Sequence, residues 1–173
     1  MSGQVLHLVG TAAPPVRQLP ELVRMLGSAG WTVCPVLSET AASWIDVPAL
    51  ERAARIPARI AARRLGEPDP FPAADAVLVA PLTFNTLNQW AMGVNDTAAL
   101  GVLNELLCLG VPIVAAPCVK SVLRRHPAYA TNRALLEQAG VRFLPQSDTL
   151  VRAPDGTATF DLEKLRAAVP IPA

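Results

Sequence analysis

The hexapeptide PLTFNT, residues 81–86, follows the aliphatic run AVLVA and sets Thr83 and Thr86 on either side of Asn85. A carboxamide presents an acceptor and a pair of donor hydrogens on neighbouring atoms. That is the complement of a planar imide edge, which alternates carbonyl, N–H and carbonyl. The threonine hydroxyls suit the oxygens of a phosphate or a polyol chain, above all at the start of a helix, where free amide N–H groups and the positive dipole end favour an anion. The same residues equally admit a structural reading, in which Thr83 caps the helix and Asn85 occupies its first turn.

Three other turns share this composition: Gly10-Thr11-Ala12-Ala13, Ser38-Glu39-Thr40 and Pro117-Cys118-Val119-Lys120. Each follows a short aliphatic run and precedes a helical pattern, as the carboxyl ends of strands do in parallel sheets, where ligands bind. The first turn reads GTAAPP instead of GxGxxG, which weakens a dinucleotide reading, and GxxxxGK[ST] is absent, which removes a P-loop NTPase. A mononucleotide with one phosphate and one flat ring remains, such as a flavin with its imide-bearing pyrimidine end.

The elements that must position these turns alternate. QVLHLVG (4–10), WTVCPVL (31–37), AVLVAP (76–81), VPIVAAP (111–117) and VRFLP (141–145) read as strands. Helical patterns separate them, with Ser38 as an N-cap, a break near Gly93, and helix in part of the arginine-rich stretch 48–66. EPDPFPA (67–73) reads as loop because three prolines remove backbone donors. The predicted fold is α/β: one doubly wound Rossmann-like domain over 1–173, its mostly parallel sheet covered by helices on both faces. Residues 146–173 form a C-terminal hairpin and helix tail, with a Pro-Asp-Gly turn at 154–156.

The chain has 173 residues, of which 51% are hydrophobic and 17% charged, with a formal net charge of +1. This supports one substantial core and gives no electrostatic case for a nucleic acid or membrane partner. No apolar run reaches the roughly 18 residues of a spanning helix, and MSGQVLHLVG reads as a first strand, not a signal peptide. Cys34, Cys108 and Cys118 have no metal-ligand spacing, so no metal is expected, and they read as reduced thiols of a cytoplasmic protein.

PLTFNT, then LNQWAM, then GVNDT (93–97) resemble the Pro-Ala-Ser-Ala-Asn-Thr, helix and Gly-Ile-Ala-Asp-Asn signature of the homo-oligomeric flavin-containing cysteine decarboxylases. That family includes phosphopantothenoylcysteine decarboxylase and the lantibiotic peptidyl-cysteine decarboxylases. Pro81, Asn85, Thr86, Gly93 and Asp96 match, and the likeness extends over about residues 4 to 145, with AADAVLVAP before the signature and LGVPIVAAPCVK through HPAYATNRALLEQAGVRFLP after it. It implies FMN as cofactor, a small-molecule or peptide substrate, and a homo-trimer or dodecamer. By the same resemblance Gly10, Thr11, Ala12, Ser38, Thr40, Pro81, Thr83, Phe84, Asn85, Thr86 and Cys118 surround the flavin, with Asn85 facing the ring.

Three departures bear on the chemistry. The family carries a histidine before its alanine-aspartate strand entry, where this chain has GEPDPFPA; it carries Pro-Ala-Met-Asn where this chain has PCVK; and its substrate flap is Gly-rich or Cys-containing where this chain has RAPDGTATFDL. A base that removes the thiol proton is worth about 10²–10⁴ in rate. The candidates left for catalysis are Asp69 in the proline loop, Cys118, and Lys120 at the asparagine position, while His7 reads as core and His126 as a helix start. Of Trp31, Trp44 and Trp90, the last, on the helix after PLTFNT, is the one best placed to line a ring pocket or meet a neighbouring subunit, with core packing a reading of at least equal weight. The expected function is FMN-dependent redox chemistry on a small or peptidyl substrate. The alternatives are a decarboxylase with a replaced base, a non-catalytic flavin-binding regulator, and an NAD(P)-binding subunit like that of dipicolinate synthase.

Overall fold

In a computed structural model, which describes residues 3–169, five parallel strands form one sheet in the order β2-β1-β3-β4-β5. The outermost ends of the expected 1–173 domain, residues 1–2 and 170–173, lie outside the described residues. The strands are β1 (Val5–Gly10), β2 (Thr32–Leu37), β3 (Ala76–Leu82), β4 (Ile113–Pro117) and β5 (Val141–Phe143). Every residue of β1, β3 and β4 is buried. Apart from His7 in β1 they are apolar throughout, because both faces of a parallel sheet are covered by helices.

One face packs under α4 (Phe84–Ala91), α5 (Ala98–Cys108) and α6 (Pro127–Gln138), with Val9, Val79, Leu87, Leu103 and Tyr129 in its core. The other packs under α1 (Leu19–Ser28), α3 (Val47–Ala54) and α8 (Leu162–Ala168), with Leu8, Leu22, Leu78 and Leu165. Each fully buried leucine of these layers contributes about 1.5–3 kcal/mol. Alternate residues of one strand feed opposite cores, as a period of two requires.

The chain leaves β1 toward β2 on one side and continues from β3 to β4 and β5 on the other, so the strand order reverses between β1 and β3. The crevice at that switch point is where an open α/β sheet binds ligands.

The arginine-rich stretch is helical only in part, as expected. Helix α3 ends at Ala54, Arg55 takes a left-handed conformation (φ 59°), and the chain then runs extended beside β2. There the Leu37 N–H donates to the Arg59 carbonyl and the Arg59 N–H to the Pro35 carbonyl, both at 2.9 Å. Pro35 has no N–H to offer, which is why it belongs on this edge strand. The tail forms the expected hairpin, β6 (Leu150–Arg152) antiparallel to β7 (Ala158–Phe160), after a short α7 (Gln146–Thr149). No helix among the described residues is long and apolar enough to cross a membrane.

Candidate functional site

The β1 and β3 ends are stitched together at the switch point. Thr11 is 1% exposed, and its Oγ1 donates to the Pro81 carbonyl at 2.7 Å while accepting the Thr83 N–H at 3.1 Å. Its own N–H also reaches the Pro81 carbonyl. Thr83 then caps α4 by accepting the Thr86 N–H at 3.3 Å. With the cap made by Thr83, Asn85 is left exposed on the first turn, its Nδ2 donating to Gln89 Oε1 at 3.3 Å.

Two adjoining clefts meet along this turn, and Ala12, Thr83 and Asn85 line both. The first, of about 550 Å³, carries the hydroxyls of Ser38, Thr40, Thr86 and Thr97. Glu39 and Asp96 also border it, both exposed. The second, of about 760 Å³, is walled by Trp44, Phe84 and the β4 turn Cys118-Val119-Lys120 on one side and by the tail hairpin on the other. A wide cleft of about 670 Å³ between α1 and α3 contains none of the crest residues.

Local sequence explains each wall. Ser38 caps the short α2 (Glu39–Ala42) through the Ala41 N–H, so its hydroxyl is half committed. Gly10 suits the packing: a Cβ there would stand 2.6 Å from Leu19 Cδ1 and 3.1 Å from Leu37 Cδ2, so both leucine side chains would have to shift. The Cys118 turn is held by Gln146, whose carboxamide bonds both the N–H and the carbonyl of Val119. The hairpin is pinned in the same manner at Phe160 by Gln18.

The expected residues thus divide. Ala12, Ser38, Thr40, Thr83, Phe84, Asn85, Thr86, Cys118 and Lys120 line the two clefts. Gly10, Thr11 and Pro81 are buried behind them and act as framework. Asp69 lies elsewhere, paired with Arg59 at 3.4 Å and Arg63 at 3.6 Å beside the β2 edge. Of the two readings for Trp90, core packing holds, at 2% exposure, whereas Trp44, 44% exposed, lines the larger cleft. Arg152, Asp155 and Thr157 complete that cleft from a tail over 30 residues beyond Lys120 in sequence, and no local pattern signals their approach.

Charge in the larger cleft comes from Lys120, Arg152 and Asp155. Burial pushes the Cys118 thiol above its usual 9.0, against the opposing pull of the Arg152 charge. The Thr157 N–H, donating to Asp155 at 2.9 Å, holds that carboxyl below the usual range. Neither histidine lines either of these two clefts: His7 is buried with its Nε2 at 3.1 Å from the Pro72 carbonyl, and His126 packs edge-on to Phe84 at 5.6 Å. Burial also lowers the His7 pKa below 6.5.

The family model described as Flavoprotein matches residues 2–166. Over 71 residues the chain is 37% identical to the coenzyme A biosynthesis bifunctional protein CoaBC of Thermococcus kodakarensis, a match covering 41% of this chain and only 17% of that protein. Among solved structures, a PPC decarboxylase mutant complexed with pantothenoylaminoethenethiol superposes with a TM-score of 0.74 at 15% identity, covering 95% of each chain. The FMN-binding protein AtHal3 gives 0.72 at 15% identity over 96% of this chain and 94% of that one. The cypemycin decarboxylase CypD gives 0.69 at 21% identity, covering 84% of each. At these identities the structural likeness concerns the fold.

Proposed function

The chain belongs to the Flavoprotein family, and from that premise we propose that it holds FMN across the crest of the sheet and performs redox chemistry on a small or peptidyl substrate. The observation that carries this reading is the placing of Asn85. Its carboxamide is exposed on the wall shared by a hydroxyl-rich cleft and a larger, more apolar one.

The donors present fit the group. Ser38, Thr86 and Thr97 offer the hydroxyls that a phosphate and ribityl chain require, and the eight-residue α4 begins at the dividing wall. Asn85 would face the imide edge of the ring, and Trp44 and Phe84 would offer a substrate apolar surface in the adjoining cleft. When bound, FMN supplies a two-electron acceptor for the substrate. The protein orients the substrate, with Lys120 facing a carboxylate by charge where the related decarboxylases use an amide.

Neither of the chain's two histidines lines the larger cleft, so the histidine base of the family's decarboxylation has no counterpart there, which argues against that reaction. We read residues 1–173 as one such flavin domain, assembled as a homo-trimer or a larger homo-oligomer in the cytoplasm; exposed Leu65, Met92 and Leu109 are apolar surface that such an assembly can cover.

Mass spectrometry of the small molecule released on denaturation tests the reading. FMN recovered at about one per chain supports it. A colourless protein that releases no flavin and takes up none removes it. Carbon dioxide release from cysteine-ended peptides or phosphopantothenoylcysteine would instead establish decarboxylation.

A further inference from the structure

We propose that the cleft between α1 and α3 is a binding site in its own right, for a free monocarboxylic acid with an apolar body. It lies at the other end of the sheet from the crest. Thr32 and Val33, which open β2, line it, whereas the crest begins where β2 ends at Leu37. Five residue steps of strand, about 17 Å, separate the two. The site is therefore independent of any flavin.

Small residues keep this cavity of about 670 Å³ open. Gly27 stands on the α1 wall, where an added Cβ would meet nothing within 4 Å, and Ala53 and Ala54 stand on the α3 wall. The buried side chains of Val23, Trp31 and Val33 also line it, and they give it an apolar floor. A volume of this size is in the range of small-molecule sites. Removing a ligand's hydrocarbon from water against such a floor is favourable and non-directional.

Direction comes from charge, which is one-sided. Arg24 joins the lining from α1 and Arg55 from the end of α3, and no carboxylate lines the cleft. Two acidic groups border these arginines from outside, and both are committed. Glu163 shares an adjoining cleft with Arg24 but pairs with Arg166 at 2.8 Å. Glu51 shares another with Arg55 but accepts the Ala58 N–H at 2.8 Å. Among the described residues neither Arg24 nor Arg55 forms an ion pair. Arg55 moreover ends its helix in a left-handed conformation (φ 59°), where glycine is the usual choice, so a long cation stands where a side chain is seldom placed. Two unpaired guanidinium groups beside an apolar floor complement a carboxylate on a hydrocarbon body, since guanidinium and carboxylate form charge-assisted hydrogen bonds.

Isothermal titration of the purified full chain with octanoate tests the site, with octanol and octyltrimethylammonium as its uncharged and cationic counterparts. One saturable site is expected, with octanoate bound about tenfold more tightly than either counterpart. Gly27→Leu projects into open space and places a good helix former in α1, so the chain should fold and the site should be lost. Arg24→Gln combined with Arg55→Gln should weaken octanoate about tenfold and bring it level with octanol. Should that double variant fail to fold, each single glutamine variant must show part of the loss. Lys120→Gln, in the crest cleft, should bind octanoate as the parent does. A parent that takes up no octanoate overturns the assignment, as does equal binding of the three amphiphiles or undiminished binding by Gly27→Leu. Loss of binding in Lys120→Gln would place the ligand in the larger cleft and overturn it as well. So would dissociation of an oligomer by Gly27→Leu, which would make the cleft a contact between copies of the chain.

Discussion

Gln146 grips Val119 with both halves of its carboxamide: Oε1 accepts the Val119 N–H at 3.0 Å and Nε2 donates to the Val119 carbonyl at 2.9 Å. The two residues are 27 apart in sequence, and the clasp ties the turn after β4 to the start of the tail. Gln146→Ala leaves two partly buried backbone groups without their partners, at a cost of about 1–3 kcal/mol. Urea unfolding should show a lower midpoint with an unchanged slope. Gln146→Glu, which keeps the acceptor and loses the donor, should recover only part of the loss.

Asn85→Ala removes an exposed side chain that is hydrogen-bonded to Gln89. The melting temperature should hold within the ordinary range of surface substitutions, about 0.5 kcal/mol. Flavin retained after gel filtration should drop clearly. A variant that remains fully loaded would show that Asn85 does not read the ring edge.

The tryptophans separate stability from binding. Trp90→Ala excavates the α4 core and should cost about 3–5 kcal/mol. Trp44→Ala, at a residue 44% exposed beside the larger cleft, should leave the melting temperature nearly unchanged while raising the Michaelis constant or dissociation constant of whatever occupies that cleft. Differential scanning calorimetry and ligand titration on the same samples distinguish the two.

Acid should weaken the fold through His7. Desolvation favours its neutral form in the folded chain, and the Pro72 carbonyl only partly offsets this, so the folded pKa lies below the unfolded 6.5. Below pH 6.5 the unfolded chain binds the proton first. The stability from neutral His7 is therefore fully present above that pH and lost as pH falls toward the lowered folded value. His7→Leu should flatten the pH dependence of the urea midpoint between about pH 5 and pH 7, and an unaltered dependence would assign it to other groups.

Burial and pairing explain why some residues were legible early and others not. Asn85 could be placed at a strand end because AVLVAP is long enough to read as a buried strand and Thr83 is a good cap. The Asp69 expectation rested on position in the proline loop, but the loop folds back on the β2 edge, where Arg59 and Arg63 take the carboxylate. Trp90 and Trp44 both sit near helices; which one faces solvent depends on the helix axis relative to the sheet, and single-sequence patterns carry no such information.

The order of strands and helices, the apolar character of the central strands, the small hydroxyl-bearing turns and the hairpin at Pro-Asp-Gly all follow from local periodicity and turn chemistry, which act over a few residues. Tertiary structure alone decided that Thr11 lies behind Thr83 from 72 residues away, that the tail walls the larger cleft, and that Asn85 stands between two clefts. Those relations come from how the sheet twists and how its faces are covered, and only the packed chain brings such distant groups within bonding distance.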